Sequence, residues 1–218
     1  MGDKVRFMKQ SVNIYILKAS DRLKPFVKEI EHTIDFATKR TSEKIPVRNV
    51  DIVVYDDPFG VIPGFAHGAR TISPHIVRIS LNPEFPNFRN VFGKELWYTI
   101  SHELHHTARW ATTEIGKTLL DAFIFEGLAS RFEEEVWGGG PPPWATALSG
   151  NKMSKILLLG RKEYANTKYD YQKWFFGKGK FPNWAGYSIG YFLVSEYIKK
   201  HPTQTAATLV SKPSRTFV

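Results

Sequence analysis

The sequence predicts an α+β fold, with strands gathered early and helices filling the rest. Two patterns carry that expectation. Short apolar runs, one with clear period-two alternation, occur before residue 82, whereas three- and four-residue apolar spacing dominates from about residue 93. Composition agrees with a globular chain, since 42% of the 218 residues are hydrophobic and 23% charged. A chain of this length buries about 70% of its unfolded surface, so it needs no covalent staples.

The elements follow in order. Val12, Ile14 and Ile16 alternate with Asn13 and Tyr15, the pattern of a half-buried strand. Ser20 or Asp21 is placed to cap a helix whose apolar positions are Leu23, Phe26, Val27, Ile30, Ile34 and Ala37, with Pro25 tolerated in its first turn. Residues 50–55 (VDIVVY) and 76–81 (IVRISL) are the second and third strands. The glycine-rich stretch between them, FGVIPGFAHGART, is expected to be a loop. Residues 93–113 and 118–136 are candidate helices, and GGGPPPW at 138–144 is the strongest break in the chain. Beyond it come a helix near 146–160, an aromatic loop, a helix near 184–199 and a short C-terminal helix. We expect a single domain over 1–218, with subdomains 1–137 (sheet plus the helices at 93–113 and 118–136 that carry the candidate ligands below) and 138–218 (helical and basic).

Cysteine is absent, which excludes a disulfide scaffold, a cysteine zinc finger, an iron–sulfur site and a thiol nucleophile. Any metal must therefore be held by His, Asp or Glu. The net charge of +9 is uneven, at +5 over residues 1–50, −5 over 51–137 and +9 over 138–218. A basic total with an acidic middle is unlike a nucleic-acid-binding arm. No apolar run approaches a membrane span, and residues 1–20 lack the apolar core of a signal peptide, so a cytoplasmic location is expected.

Residues 101–107, SHELHHT, contain H-E-x-x-H. On a helix His102 and His106 lie one turn apart on the same face, where both imidazoles can reach one ion. Glu103 lies about 100° around the helix, beside the metal rather than on it, which suits a general base. A catalytic zinc site needs a third protein ligand and an open position. A third histidine in the metzincin register is missing, because Arg109 and Thr112 stand there. Glu126, in FIFEGLASRFEEE, is better supported: it sits in the apolar part of the next helix, ahead of the solvated-looking 133–135 run. Its small neighbours Gly127 and Ala129 allow a close helix approach. His105 could replace His106 as a ligand, but the Glu126 register favours His106. His67 and His75 flank the glycine loop and could meet substrate.

HELHH followed at this spacing by EGLA resembles the gluzincin, or thermolysin-like, metallopeptidases. With GYSIGY at 186–191 it resembles more closely a bacterial family of predicted zinc-dependent proteases, over about residues 50–200. The resemblance implies a zincin-like fold, zinc ligands His102, His106 and Glu126, and Glu103 as base and proton shuttle. It implies an oxyanion tyrosine at Tyr187, in Tyr187-Ser188-Ile189-Gly190, with Tyr191 second and His201 third. It also implies that the 76–81 strand is the edge against which an extended peptide pairs. Where thermolysin-type enzymes place an Asp to orient the first histidine, this chain has Ser130, so Glu133 is the candidate for that role. The G-x-M-E-N strand that binds a free amino terminus in aminopeptidases is missing, which points to an endopeptidase.

The function expected is thus a zinc-dependent metallopeptidase, hydrolysing a peptide or protein substrate by metal-activated water with a glutamate base. Two alternatives stand beside it. One is an anion- or nucleic-acid-binding protein with a structural or vestigial zinc site, since aromatics and lysines interleave in YDYQKWFFGKGKFPNW; we favour a lysine-solvated loop over the core for that segment. The other is a zinc hydrolase acting on bonds other than peptides.

Overall fold

The computed structural model describes residues 12–113 and 116–218. Most of the amino-terminal stretch judged to carry no signal peptide lies outside the described residues. Four strands form one sheet: β1 (Val12–Ile16), β2 (Val50–Asp56), β3 (His67–Ser73) and β4 (Ile76–Leu81), in the order β1-β2-β4-β3. The pairs β1–β2 and β2–β4 are parallel, and β3–β4 is antiparallel. A parallel pair needs a long crossover, and α1 (Val27–Ser42) supplies it between β1 and β2. The fold is mixed α/β, with six helices and this four-stranded sheet among the described residues.

Two expectations about the sheet are corrected. The glycine-rich stretch is not all loop, because its second half forms β3. Among the described residues that strand pairs on one side only, so it is the edge, while β4 is interior between β2 and β3. Tertiary pairing overrides the weak local pattern: His67, Gly68 and Thr71 are buried, while Arg70 and Ile72 are exposed, so few β-forming side chains mark the strand. A peptide adding to this sheet at that end would therefore meet β3, not residues 76–81.

The helical part begins with α1, which buries Ile30, Ile34 and Ala37 as its spacing predicts. Neither Ser20 nor Asp21 caps it. Asp21 adopts a left-handed conformation (φ 62°), and a 3-10 turn at Lys24–Phe26 leads into the helix. α2 spans Lys94–Trp110 and α3 spans Leu119–Trp137. Thr118 and Asp121 make a reciprocal capping box at the start of α3, with Thr118 Oγ accepting from the Asp121 amide at 3.2 Å and Asp121 Oδ2 accepting from the Thr118 amide at 3.0 Å. α4 (Gly150–Glu163), α5 (Tyr171–Phe176) and α6 (Ala185–Lys200) complete the set. The aromatic loop therefore holds a helix, α5, whose Trp174 and Phe175 are fully buried. The expected C-terminal helix is only a 3-10 turn at Ser214–Phe217.

One buried cluster runs from Leu23 to Phe217 and takes side chains from both halves of the chain. At its centre α3 crosses α6, and a Cβ at Gly127 would lie 2.1 Å from the carbonyl carbon of Gly190, so only glycine fits there. Among the described residues no helix is long and apolar enough to cross a membrane.

Candidate metal centre

α2 is buried along about three turns, with every residue from Thr99 to Arg109 shielded from solvent. A helix so enclosed must satisfy its polar side chains internally. His102 and His106 do this by pointing the same way, across to α3. Glu126 Oε2 lies 3.2 Å from His102 Nε2 and 3.3 Å from His106 Nε2. The two imidazole planes stand at 89° with centroids 4.6 Å apart. The Phe125 ring stacks on His106 at 3.8 Å and holds its plane.

The three side chains offer ligand atoms all within 4.8 Å of one another. Zinc–ligand bonds of about 2.0–2.1 Å at tetrahedral angles place neighbouring ligand atoms about 3.3 Å apart, which the two Glu126–imidazole separations match, and the donor set fits a zinc ion in chemistry. Electrostatics point the same way. Burial alone would raise the Glu126 carboxyl, but the facing imidazoles of His106 and His102 hold it well below the usual carboxylate range. Burial opposes a charge on His102, yet its contacts with Glu126 and Glu133 raise it well above the ordinary imidazole value. A proton held between carboxylates in this way is the one a metal ion displaces.

Glu133 approaches from the far side of His102, its Oε1 3.5 Å from Nδ1. It is completely buried, and burial pushes its carboxyl up. Tyr171, on α5, donates from its hydroxyl to Glu126 Oε1 at 3.4 Å. Glu103, one residue past His102, turns toward the sheet, where the Thr71 hydroxyl lies 2.6 Å from its Oε2 and 3.0 Å from its backbone oxygen.

An open cleft runs over this cluster in two lobes of about 500 and 560 Å³. His102, Glu103, Ala69 of β3, Phe176 and Tyr187 border both lobes. Trp144 and Trp184 wall the first, Glu126 and Arg70 the second. Burial, together with the charge of Glu126, pushes the Tyr187 phenol well above its usual value, so it stays protonated and able to donate.

Other residues singled out from the sequence lie elsewhere. Tyr191 borders neither lobe; its hydroxyl is 2.6 Å from Glu134 Oε2 and 3.0 Å from Arg131 Nη1. Four residues advance the chain about 6 Å along the axis. That carries Tyr191 past the Gly127–Gly190 crossing, so its hydroxyl lies at the contact between α3 and α6. His201 is exposed at the end of α6, 2.9 Å from the Tyr197 oxygen. His75 sits in the exposed turn between β3 and β4. His67 is buried, with Nε2 2.8 Å from Thr99 Oγ1, and burial pushes it down to about 4. His105 packs 5.1 Å from Phe132, facing away from the other two histidines' partner, and burial holds it far below its usual value. Two residues at the site had no sequence signal: Thr71, on a strand hidden in a glycine-rich stretch, and Tyr171, within an aromatic run.

A profile of the family described as "Predicted Zn-dependent protease (DUF2268)" matches residues 30–218. The chain belongs to this family. Its description is itself a prediction of zinc dependence, and the buried His102–His106–Glu126 group could hold such an ion. "Uncharacterized protein YjaZ" of Bacillus subtilis (strain 168) is 30% identical over 126 residues, 55% of this chain and 48% of its own. The chain thus spans about half the length of that curated relative. No solved structure matches.

Proposed function

We propose that the protein is a zinc metallopeptidase of the thermolysin-like, gluzincin type, with a zincin-like arrangement of helix and edge strand, cleaving within extended peptides. The observation that carries this reading is the juxtaposition of three buried convergent side chains with an adjacent carboxylate, Glu103, in a cleft bordered by a strand edge that is unpaired among the described residues. His102, His106 and Glu126 would hold the ion, and Glu133 would keep the His102 ring in place, as partners of zinc-bound histidines do. Zinc in that position supplies Lewis acidity, polarising a carbonyl and making water acidic enough to give up a proton near neutral pH.

The remaining work falls to the chain. Glu103 accepts the proton of the attacking water and returns it to the leaving amine. The Tyr187 hydroxyl, protonated and facing the cleft, donates to the oxyanion as charge develops on it. The free edge of β3 offers backbone groups that an extended peptide can pair with, fixing the scissile bond across the Glu103 carboxylate.

Metal analysis of the purified protein, paired with cleavage of a diverse peptide library by wild type and Glu103→Gln, tests this. Both proteins should carry one zinc per chain, and the variant should lose turnover by at least about 10²-fold. Retained turnover in Glu103→Gln refutes the assigned base. One zinc with no cleavage of any peptide shifts the reading to a hydrolase of other bonds. Against the nucleic-acid alternative stands the burial of Trp174 and Phe175, which leaves Tyr171 and Phe176 as the exposed large aromatics of residues 169–184. Steeply salt-dependent nucleic-acid binding without peptidase activity would restore that alternative.

A further inference from the structure

We infer that Thr71, on the edge strand β3, is a positioning residue for Glu103, its hydroxyl fixing which carboxylate oxygen faces the cleft. The inference rests on the peptidase reading and adds a residue to it.

A glutamate side chain has three rotatable bonds, and holding it in one arrangement costs rotamer freedom. Glu103 is only 7% exposed, and among the described residues Thr71 is the side chain hydrogen-bonded to its carboxylate. The 2.6 Å separation from Oε2 is that of a charge-assisted O–H···O bond. The hydroxyl has one proton to give. The alternative acceptor, the Glu103 backbone oxygen at 3.0 Å, lies in mid-helix where the α2 ladder already uses it. The proton therefore goes to the carboxylate. With Oε2 so held, Oε1 has no hydrogen-bond partner among the described residues, and Glu103 borders both lobes of the cleft.

The anchor itself is rigid. Threonine is β-branched and stiff at χ1. Its backbone lies opposite Val77 in the β3–β4 pair, and Thr71 is buried. The strand edge offered to substrate and the base thus share one residue, which ties the place where a peptide backbone pairs to the direction in which the carboxylate points.

Thr71→Val, which keeps the shape and removes the hydroxyl, and Thr71→Ser, which keeps the hydroxyl, are the test. Thr71→Ala takes the place of Val should the latter not fold. With zinc bound, Val should lower kcat about 10- to 100-fold with KM within about threefold of wild type, because a misaimed catalytic group costs that much. Ser should return kcat to within about threefold of wild type, since it restores the bond. A Val variant with wild-type kcat, or a Ser variant as impaired as Val, overturns the assignment. The Glu103 13Cδ resonance of the metal-free protein gives a second readout that needs no turnover. It should move in Val and return in Ser; an unmoved resonance in Val overturns the inference. Were the wild type to cleave no peptide, the peptidase reading would fail while this resonance still decided the Thr71–Glu103 bond.

Discussion

Gly127 stands next to Glu126 of the candidate metal group and at the point where α3 and α6 touch, so Gly127→Ala perturbs fold and site together. The added Cβ would lie 2.1 Å from the carbonyl carbon of Gly190 and 2.2 Å from its oxygen, where ordinary contact begins at 3.4 Å. Because the obstacle is backbone, no rotamer change relieves it, and α6 must retreat by more than about 1 Å at the crossing. Overpacking of this kind costs about 1–3 kcal/mol, and a rigid neighbour puts it at the upper end. For a chain of this size about 3 kcal/mol lowers Tm by about 6–12 °C. The same retreat displaces Glu126 from the imidazoles it faces at 3.2 and 3.3 Å, beyond the roughly 0.2 Å tolerance of a metal site, so zinc affinity should fall at least about tenfold. Thermal melts of the metal-free protein and chelator competition for zinc measure the two effects. Gly160→Ala is the control, since its Cβ would meet side chains, the Phe123 ring edge at 3.1 Å and Ile189 Cδ1 at 3.7 Å, and a ring can tilt. A Gly127→Ala protein melting within about 2 °C of wild type would refute the close-crossing argument.

Two further predictions separate residues that look alike in sequence. Tyr187→Phe should lower kcat about 10²- to 10³-fold with little change in KM, whereas Tyr191→Phe, whose hydroxyl is engaged by Glu134 and Arg131, should leave kcat nearly unchanged; equal effects would contradict the placement of the two rings. His67 is pushed down to about 4 from 6.5, so the unfolded chain binds its proton first as pH falls. Its contribution to stability is therefore complete above about pH 6.5 and is lost as pH falls toward 4, a change of about 3 kcal/mol. Urea unfolding at pH 7 and pH 4.5 should show His67→Gln losing less stability than wild type between the two; identical losses would show that His67 does not titrate as its burial requires.

Much of the metal cluster was legible because it is local. His102 and His106 are one helical turn apart, and that spacing fixes a shared face wherever the helix lies. Glu126 was legible at one remove, through small residues beside a carboxylate in an apolar helix. Glu133 followed from seven-residue spacing on the same helix, and it stands 3.5 Å from His102. The edge strand was not legible. β3 has one exposed face, two buried polar residues and a glycine, and only its pairing with β4 makes it a strand. Assigning the edge to residues 76–81 followed from missing it. The aromatic run at 171–176 was equally opaque, since a six-residue helix gives too short a window for periodicity.

By itself the sequence determined what ligand chemistry was available. A chain of 218 residues without cysteine, carrying H-E-x-x-H and a glutamate in an apolar helix, leaves His and Glu as the candidate ligands of any metal. Only the tertiary structure decided what surrounds that set. Thr71 on Glu103, Tyr171 on Glu126 and the divergence of Tyr187 from Tyr191 all arise between elements far apart in the chain. Such contacts depend on how the sheet edge and the α3–α6 crossing pack, and packing distances of a few ångströms leave no period in a linear sequence. The uneven charge shows the same division: the acidic excess of residues 51–137 was visible at once, but that Glu103, Glu126 and Glu133 are buried around two histidines, and so not a solvated face, is a fact of packing.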